Sequence, residues 1–425
     1  MRHSVLSCGL VLALAACAAQ GSDSSTHGPV FGDDASASDS SADVAAQDGG
    51  DSASDTSVAD SAGDASSHDA SASDASTTDV ANDTGSDASS CTSTMAVFAG
   101  GASALAGAIF TNGHWGAASP LTGSASSPPA IAASASGYVA VAAQQGTTPT
   151  LLSSVYTTSW SAPTAVGTIG ARDTLGLATV GANVHLTYLG SADSKFYHGV
   201  FNGSWDAASD PVGGSGSSQS FGGSGSTAAA AGGALVVAQS GSNNFVYDQT
   251  WSSSWQAAHQ QTGTSVEAGI APTLVAMNGA ADLMIVYVRK TDFHLMWSTR
   301  ANGAWSTPAE VYNMNGNVAY ANDPVAVAAR PGGKAAIVFR GGNMVPYTTL
   351  FDGSAWSAPV ALDSTMPTLA APPAIASGVC GDDAVAAYAT GGVVNVVRLV
   401  GTTWGSPTVI SGTSGMKYAA IATRP

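Results

Sequence analysis

The chain has 425 residues, and its 29 acidic against 12 basic side chains give a net charge of −17 at pH 7. The charge is unevenly placed, because residues 91–425 carry 14 acidic and 11 basic side chains, a net of −3, and the remaining acidity belongs to the first 90 residues. This balance excludes a nucleic-acid partner, since no stripe of Lys and Arg is available to contact phosphates.

The first 17 residues predict an export signal. A short basic start, residues 1–3, precedes an apolar run, residues 5–16, that is too short to span a bilayer. The run ends in Leu-Ala-Ala-Cys, which resembles the lipobox of bacterial lipoproteins. That resemblance implies that residues 1–16 are removed and that the lipidated Cys17 anchors the protein to the membrane, at the outer membrane or cell surface. The alternative is an ordinary secretory signal that is cleaved near the same place.

Residues 17–90 predict a disordered linker. Their composition is almost entirely Ser, Ala, Asp, Thr and Gly, with 15 aspartates between Asp23 and Asp87 and no Lys or Arg between Arg2 and Arg172. Such a segment buries too little apolar surface to offset its chain entropy, and its like charges repel one another. We interpret it as a tether; the alternative is a tract that binds cations or contacts the cell wall.

A tryptophan motif then recurs seven times, in forms such as SWSAPTAV from Ser159 and AWSAPVAL from Ala355. The spacings are 45, 45, 50, 50, 51 and 48 residues, a period that indicates stacked or radially arranged units. The seven tryptophans are Trp115, Trp160, Trp205, Trp255, Trp305, Trp356 and Trp404.

Each repeat predicts four short antiparallel strands. Between residues 129 and 166, for example, four runs rich in small or β-branched residues are separated by Gly, Ser, Thr and Pro, without helical periodicity. Seven such units predict an all-β fold, a seven-bladed β-propeller over residues 91–425. The alanine-rich first strands fit near the central axis, and the tryptophan that opens each fourth strand is expected to pack between neighbouring blades.

The two ends of the folded region predict how the ring closes. The first unit lacks an alanine-rich first strand, and a strand of that type, Lys417–Ala422, follows the last tryptophan motif. We expect it to pair beside Met95–Ala99, which leaves no exposed sheet edge. Cys91 and Cys380 lie in equivalent turns of blades one and seven, which are neighbours in a closed ring, and in an exported protein this predicts a disulfide. The alternative is a pair of buried free thiols.

Motifs of catalysis are missing. The sequence has no HExxH, GxSxG, P-loop or CxxC, its histidines lack ligand spacing, and residues 91–425 contain only two glutamates, Glu267 and Glu310. We therefore expect no enzyme activity, no catalytic residues, no metal and no cofactor. The enzyme alternative is a sialidase-type glycosidase, a six-bladed relative that needs an arginine cluster, and blades one and two contain neither Arg nor Lys.

Three repeats resemble those of seven-bladed propeller lectins. Residues 190–205, 288–305 and 339–356 share a polar turn, an aromatic-rich strand, a glycine turn and a tryptophan-headed strand. The resemblance implies that sugars bind at blade junctions through charged or amide groups and an aromatic ring. The matching positions are Arg289, Lys290, Asp292 and Trp297 in blade five, Arg340 and Asn343 in blade six, and Asp193, Lys195, Tyr197 and His198 in blade three.

The expected function is therefore a surface-anchored, non-catalytic propeller that binds a glycan or cell-surface polymer. Arg340 is placed in the turn that matches the Arg289 turn, so that both turns project from one end of the ring. The alternatives are a protein-interaction scaffold and the sialidase-type hydrolase. The sequence predicts neither the ligand nor an oligomeric state.

Overall fold

The structure is a computed structural model, and it describes residues 93–144, 150–167, 170–191, 195–206, 210–211, 227–240, 243–261, 270–314 and 317–424. The predicted signal, Cys17, the linker, Cys91 and Asp193 lie outside these residues. The described chain is all-β, with seven four-stranded antiparallel sheets arranged as blades in a ring. Within it, no helix is long and apolar enough to cross a membrane.

The first four blades follow the predicted order of inner, second, third and outer strand, with the inner strand of blade 1 supplied from the C-terminus. Their strands in chain order are β1 (Thr94–Gly100), β2 (Leu105–Thr111), β3 (His114–Trp115), β4 (Ser119–Leu121), β5 (Ala130–Ser134), β6 (Gly137–Gln144), β7 (Thr150–Tyr156), β8 (Thr164–Ala165), β9 (Ala171–Val180), β10 (Asn183–Gly190), β11 (Phe196–Phe201), β12 (Asp210–Pro211), β13 (Thr227–Ala231), β14 (Ala234–Ser240), β15 (Val246–Trp251) and β16 (His259–Gln260).

Blades 5 to 7 repeat the order, and a two-stranded hairpin, β22–β23, links blades 5 and 6. Their strands are β17 (Thr273–Ala276), β18 (Leu283–Val288), β19 (Leu295–Ala301), β20 (Ala304–Trp305), β21 (Ala309–Glu310), β22 (Asn313–Met314), β23 (Asn317–Val318), β24 (Ala326–Arg330), β25 (Lys334–Arg340), β26 (Pro346–Phe351), β27 (Val360–Ala361), β28 (Ala374–Ser377), β29 (Ala384–Thr390), β30 (Val393–Val400), β31 (Thr403–Trp404), β32 (Thr408–Val409) and β33 (Tyr418–Arg424).

The ring closes as predicted, through the two ends of the folded region. The C-terminal strand β33 pairs antiparallel with β1, in a register that runs from Thr94 opposite Arg424 to Gly100 opposite Tyr418. Blade 1 is thus completed by residues more than 300 positions away in the sequence. Both edges that a linear arrangement would expose are paired, which removes a template for aggregation.

The outer strand of each blade is interrupted, where the sequence predicted one continuous strand. In blade 2, Trp160 bridges to Tyr156, and pairing resumes only at Thr164–Ala165 of β8. The intervening Ser-Ala-Pro residues cause the break, because proline has no N–H to donate to the neighbouring strand. Proline is tolerated here since the strand lies at the outer edge of its sheet.

Each tryptophan of the motif packs against the preceding blade, as predicted. The Trp160 ring centroid lies 5.4 Å from that of Phe98 in blade 1, and Trp356 lies 6.1 Å from Trp297 in blade 5. Trp404 packs in a cluster with Val338 of blade 6. Trp115 of blade 1 closes the circle, because it packs against the apolar cluster that blades 1 and 7 share.

The disulfide between Cys91 and Cys380 remains a prediction, because Cys91 lies outside the described residues. The Cys380 sulfur lies 3.8 Å from the carbonyl oxygen of Ser93, two residues after Cys91 in the sequence. A disulfide requires Cα atoms within roughly 7 Å of each other, and this proximity of blades 1 and 7 is compatible with that requirement.

The packing of blade 1 against blade 2 leads to a stability prediction. Gly107 lies directly beneath Trp160, so that a Cβ atom there would approach Cε2 of the indole to 2.2 Å. We expect Gly107→Ala to lower the free energy of unfolding by about 1–3 kcal/mol, the usual cost of overpacking. The matched control is Gly116→Ala in the same blade, where a Cβ would meet only the Ile109 carbonyl oxygen at 3.5 Å. Chemical denaturation that gives equal stabilities for the two variants would contradict the contact.

Candidate functional site

The antiparallel blades give the ring two chemically different ends. Turns between second and third strands, such as residues 289–294 of blade 5, lie at one end, which we call the upper end. Turns between first and second strands and between third and outer strands, such as residues 331–333 and 352–355 of blade 6, lie at the other, the lower end. The residues that the sequence analysis selected in blades 5 and 6 lie mainly at the upper end.

The upper turn of blade 5 holds a compact ion cluster. Arg289 Nη2 lies 2.5 Å from Asp292 Oδ2 and 2.5 Å from Glu310 Oε1, and Arg289 Nε donates to Asp292 Oδ1 at 2.8 Å. His294 Nδ1 lies 3.0 Å from the same Nη2. The strands bring these residues together, because β21 pairs Glu310 with Met296 beside the turn.

The charged groups of this cluster are paired with one another. The hydrogen bond from Arg289, with lesser help from the His294 backbone and charge, lowers the pKa of the Asp292 carboxyl, and the two carboxylates together raise the pKa of Arg289. The ligand atoms of Asp292, His294 and Glu310 lie within 4.8 Å of one another, a spacing that suits a metal ion. The Arg289 guanidinium already supplies the positive charge there, and Lys290 is exposed beside it.

Arg340 does not occupy the position that matches Arg289. Arg340 is the last residue of β25 and pairs with Pro346, as Val288 pairs with Leu295 in blade 5. Side chains alternate along a strand, so a shift of one residue turns Arg340 toward the opposite face of its blade. Its Nη2 lies 2.5 Å from Asp323 Oδ2 and its Nη1 donates to the Leu369 carbonyl oxygen at 3.0 Å.

Asn343 shapes the upper turn of blade 6. Its Oδ1 accepts a hydrogen bond from the Val345 backbone N–H at 3.2 Å, and its Nδ2 donates to the Tyr347 hydroxyl at 2.9 Å. Blade 4 repeats the arrangement with Asn243 and Tyr247, at 2.8 Å. The recurrence indicates a turn-stabilising role, although Asn343 itself is exposed.

Tyr197 and His198 of blade 3 are buried. Tyr197 stacks on Tyr188 with ring centroids 5.5 Å apart. His198 Nε2 lies 2.9 Å from His185 Nδ1, the two imidazoles are stacked, and Trp255 of blade 4 packs edge-on at 5.2 Å. Burial lowers the pKa of His198 to about 4 and also lowers that of His185, so both rings are neutral at pH 7.

Trp297 lies in the middle of β19 and faces blade 6. Its ring contacts Phe351 at 5.0 Å and Trp356 at 6.1 Å, and it lines a cavity that opens at the lower end. The structure therefore groups Arg289 with Asp292 but places Trp297 and Arg340 elsewhere. Sequence analysis did not identify the partners Glu310 and Asp323, because they follow or precede the turns by more than ten residues.

One position of each blade decides how its junction with the next blade is filled. It lies on the third strand, three residues before the residue that pairs with the blade's own tryptophan. From this position the side chain is next to the tryptophan of the following blade, as the contacts of Gly107 with Trp160 and of Trp297 with Trp356 show. From blade 1 to blade 7 the residues at this position are Gly107, Ser153, His198, Asp248, Trp297, Thr348 and Val396.

At the junction of blades 4 and 5, this position holds a carboxylate that accepts a hydrogen bond from the neighbouring indole. Trp305 Nε1 donates to Asp248 Oδ1 at 3.2 Å, and His259 Nδ1 lies 3.1 Å from the same oxygen. The indole N–H and the carboxylate are thus paired within the protein. No other junction has a carboxylate at this position.

The junction of blades 6 and 7 leaves the corresponding groups without partners. Thr348 Oγ1 and Trp404 Nε1 are buried and form no hydrogen bond with the described residues. Arg330 is 4% exposed; its Nη2 contacts Asp383 and the Gly401 carbonyl, but its Nε also has no partner in the described part of the chain. A buried polar group without a hydrogen bond costs about 1–3 kcal/mol. Ser153 Oγ and Trp205 Nε1 at the junction of blades 2 and 3 are also without partners among the described residues, so the 6–7 junction is marked by the additional Arg330 Nε and by the cavity beside it.

Arg330, Thr348 and Trp404 line a cavity of about 530 Å³ at the lower end of the 6–7 junction, which we call the 6–7 cavity. The size is that of a typical small-ligand site. Lys334 and Asp352 also line it, and Phe351, Leu350 and Val360 contribute apolar surface. The sequence analysis named Trp404 only as a packing residue. A comparison of the seven repeats at the Thr348 position would have found the signal, since only Ser153 and Thr348 are hydroxyl residues there.

Comparison with family models and with curated proteins gives no match. Among solved structures, the fold is similar to the six-bladed β-propeller lectin of Aleuria aurantia, with 17% identity, a TM-score of 0.47, and coverage of 68% of this chain and 96% of the lectin. AofleA from Arthrobotrys oligospora gives 13% identity and 0.47 over 70% and 89%. The Hadza microbial sialidase Hz136 gives 8% and 0.45 over 70% and 71%. At this level of similarity, function has to be inferred from the residues of this chain.

The buried histidine pair makes stability depend on pH. Because the pKa of His198 is about 4 in the folded protein and near 6.5 when unfolded, the unfolded chain binds more protons between these values. The free energy of unfolding is therefore highest above pH 6.5 and decreases as pH falls toward 4. The decrease is up to about 3 kcal/mol, because one pKa unit corresponds to about 1.4 kcal/mol. We expect His198→Gln to flatten the measured loss of unfolding free energy in this window.

The control for this experiment is His114→Gln, which changes an exposed histidine of blade 1. It should retain the pH dependence of the parent. Denaturation curves between pH 7 and 4 with the same slope for His198→Gln and the parent would show that the pair does not titrate as the structure indicates.

Proposed function

We propose that the protein is a non-catalytic, glycan-binding propeller and that the 6–7 cavity is its binding site. The single observation that carries the proposal is the set of buried, unpartnered polar atoms of Arg330, Thr348 and Trp404 at that cavity. Two are N–H donors and one is a hydroxyl that can both donate and accept. Sugar hydroxyls also do both, so a sugar that reaches these buried atoms can satisfy them.

The apolar part of the cavity supports the same ligand class. A pyranose has an apolar face of C–H groups, and aromatic side chains provide flat apolar surface for it. Phe351 and Trp404 both line the cavity. Few, well-placed polar groups within a mainly apolar lining are typical of small-molecule sites.

The rim of the cavity carries an ionised carboxylate. Asp352 Oδ1 accepts hydrogen bonds from the backbone N–H of Ala355 at 2.9 Å and from the N–H and hydroxyl of Ser354 at 2.8 Å each. These bonds lower the pKa of Asp352 to about 2, so it is charged throughout the physiological range. Its second oxygen can accept from a ligand hydroxyl, and the opposite charge of Lys334 lies at the same rim.

The non-catalytic part of the proposal rests on the ion cluster of blade 5. Hydrolysis of a glycosidic bond usually needs two carboxyl groups, one free to act as acid and the other as nucleophile or base. Asp292 and Glu310 are the closest pair of carboxylates there, and both are bound to Arg289. The lowered pKa of Asp292 does not suit a general acid, and the pairing of both carboxylates with Arg289 leaves neither as a free nucleophile.

We expect Thr348→Val and Trp404→Phe each to weaken glycan binding. Thr348→Val keeps the shape but removes the hydroxyl, and Trp404→Phe keeps an aromatic ring but removes the N–H. Loss of one hydrogen bond of about 0.5–1.5 kcal/mol corresponds to a threefold to tenfold higher Kd. Thr348→Asp should weaken binding more, because a carboxylate there can accept from Trp404 as Asp248 accepts from Trp305.

The measurement is a glycan array with the parent protein, followed by titration calorimetry with the best glycan. Trp115→Phe is the matched control, since Trp115 packs against the cluster that contains Val396 at the 7–1 junction and its replacement should leave Kd unchanged. Unchanged binding in all three 6–7 variants would place the site elsewhere. No array binding by the parent would favour the scaffold, and cleavage of a fluorogenic sialoside would favour the hydrolase.

The proposal includes membrane anchoring through Cys17, with residues 18–90 as a tether to the outer membrane or cell surface. It is supported by the lipobox-like Leu-Ala-Ala-Cys at the end of the apolar run. A second support is that Phe31 is the only apolar residue larger than valine in the linker, which leaves it very little to bury. Such a tether would present the propeller to glycans at a distance from the bilayer.

Replacement of Cys17 with alanine should release the protein from the membrane fraction, because the acyl chains attach there. Cell fractionation followed by immunoblotting measures this directly. Cys8→Ala is the matched control, since Cys8 lies within the apolar run and should leave the protein membrane-bound. Membrane association of Cys17→Ala equal to that of the parent would rule out the anchor.

A further inference from the structure

We infer that the ligand is an extended oligosaccharide, whose chain continues from the 6–7 cavity over the turn at residues 352–355 into a second cavity at the junction of blades 5 and 6. The inference rests on the proposed function, and it adds the length and charge of the glycan. Its evidence is a second cavity that shares a wall with the first.

The second cavity, which we call the 5–6 cavity, has a volume of about 420 Å³ and also opens at the lower end. Phe351 lines both cavities. The turn that follows it is divided between them: Asp352 and Ala355 line the 6–7 cavity, whereas Gly353 and Ser354 line the 5–6 cavity. At the lower end, this turn therefore lies between the two cavities.

The turn is rigid enough to act as a fixed ridge between two sites. The three hydrogen bonds to Asp352 Oδ1 hold its backbone, and Asp352 N–H donates to the Ala355 carbonyl oxygen at 3.1 Å. Gly353 has φ of +110°, and a Cβ atom there would touch nothing within 4 Å, so the top of the ridge is open to a ligand. The Gly353 position is therefore open to a ligand chain that crosses the turn.

The lining of the 5–6 cavity defines the chemistry of the second part of the ligand. No charged side chain lines it. Part of the lining is aromatic, with Trp297 and Phe351, and part is backbone, because Gly332 and Gly333 carry no side chain. Aromatic rings together with peptide groups suit an uncharged sugar ring with hydroxyls at its edge.

The second cavity should therefore make affinity depend on chain length. When two linked sugars occupy both cavities, the second sugar binds in an intramolecular step after the first. Affinity therefore rises without any new protein contact at the first cavity. A single sugar can use only one cavity at a time. We expect a linear tetrasaccharide to have a Kd at least tenfold lower than its monosaccharide.

The test uses ladders of one to six units built from glucose, N-acetylglucosamine, mannose, galactose or xylose, titrated against the parent protein. Ala280→Trp fills the 5–6 cavity from an exposed lining position and leaves the 6–7 cavity intact. It should raise the Kd of the tetrasaccharide to that of the monosaccharide and leave the monosaccharide Kd unchanged. Ala135→Trp, in the corresponding exposed turn of blade 2, should change neither.

Equal Kd values for all lengths in the parent would overturn the inference, as would tight tetrasaccharide binding by Ala280→Trp. Array binding of a terminal monosaccharide, without binding of any ladder, would also overturn it while the proposed function stands. The proposed function itself fails separately, through unchanged binding in the Thr348 and Trp404 variants or no array binding by the parent. A thermal melt of each variant confirms that the propeller is folded.

Discussion

The contact between each tryptophan and the preceding blade is the interaction on which this fold depends. A four-stranded blade cannot bury both of its faces alone, and the indole fills the widest part of the gap, toward the outer edge, where neighbouring blades diverge. The contact is circular, because Trp115 of blade 1 packs against the cluster shared with blade 7. The pairing of β33 with β1 within blade 1 joins the two ends of the folded region by backbone hydrogen bonds, so the ring is closed by strand pairing as well as by the tryptophan contacts.

The residue that packs against the neighbouring tryptophan also decides whether a junction has room for a ligand. A large aromatic ring such as Trp297, a buried imidazole pair at His198, or direct contact with the glycine backbone at Gly107 fills the space beside the neighbouring indole. Thr348 leaves space there, and the cavity beside it adjoins residues with unpartnered polar atoms. Under the proposed function, a binding site at this junction arises by the loss of packing volume, at a cost in stability.

The sequence analysis expected the charged residues of the turns to bind a ligand, but most of the described arginines pair with carboxylates within the protein. The described arginines are mostly engaged by nearby carboxylates, as in Arg289 with Asp292 and Glu310, and Arg340 with Asp323. A guanidinium that is paired twice within the protein has few donors left for a ligand. The groups that remain available are instead neutral or, in Arg330, a single Nε of a buried side chain. Such groups give a weak signal in a sequence, because Thr and Trp are also ordinary packing residues.

The sequence by itself determined the number of blades, their four-stranded plan, the closure by residues 417–422 and the position of the tryptophans, because periodic spacing and hydrophobic alternation are local properties of the chain. It also identified the Arg289 turn as polar. Only the tertiary structure decided that Arg340 is offset by one residue from Arg289, that His198 is buried and that Thr348 and Trp404 meet across a junction. Pairing and burial depend on side chains from different blades, and a register shift of one residue, which reverses the face of a strand, leaves no mark on composition or period.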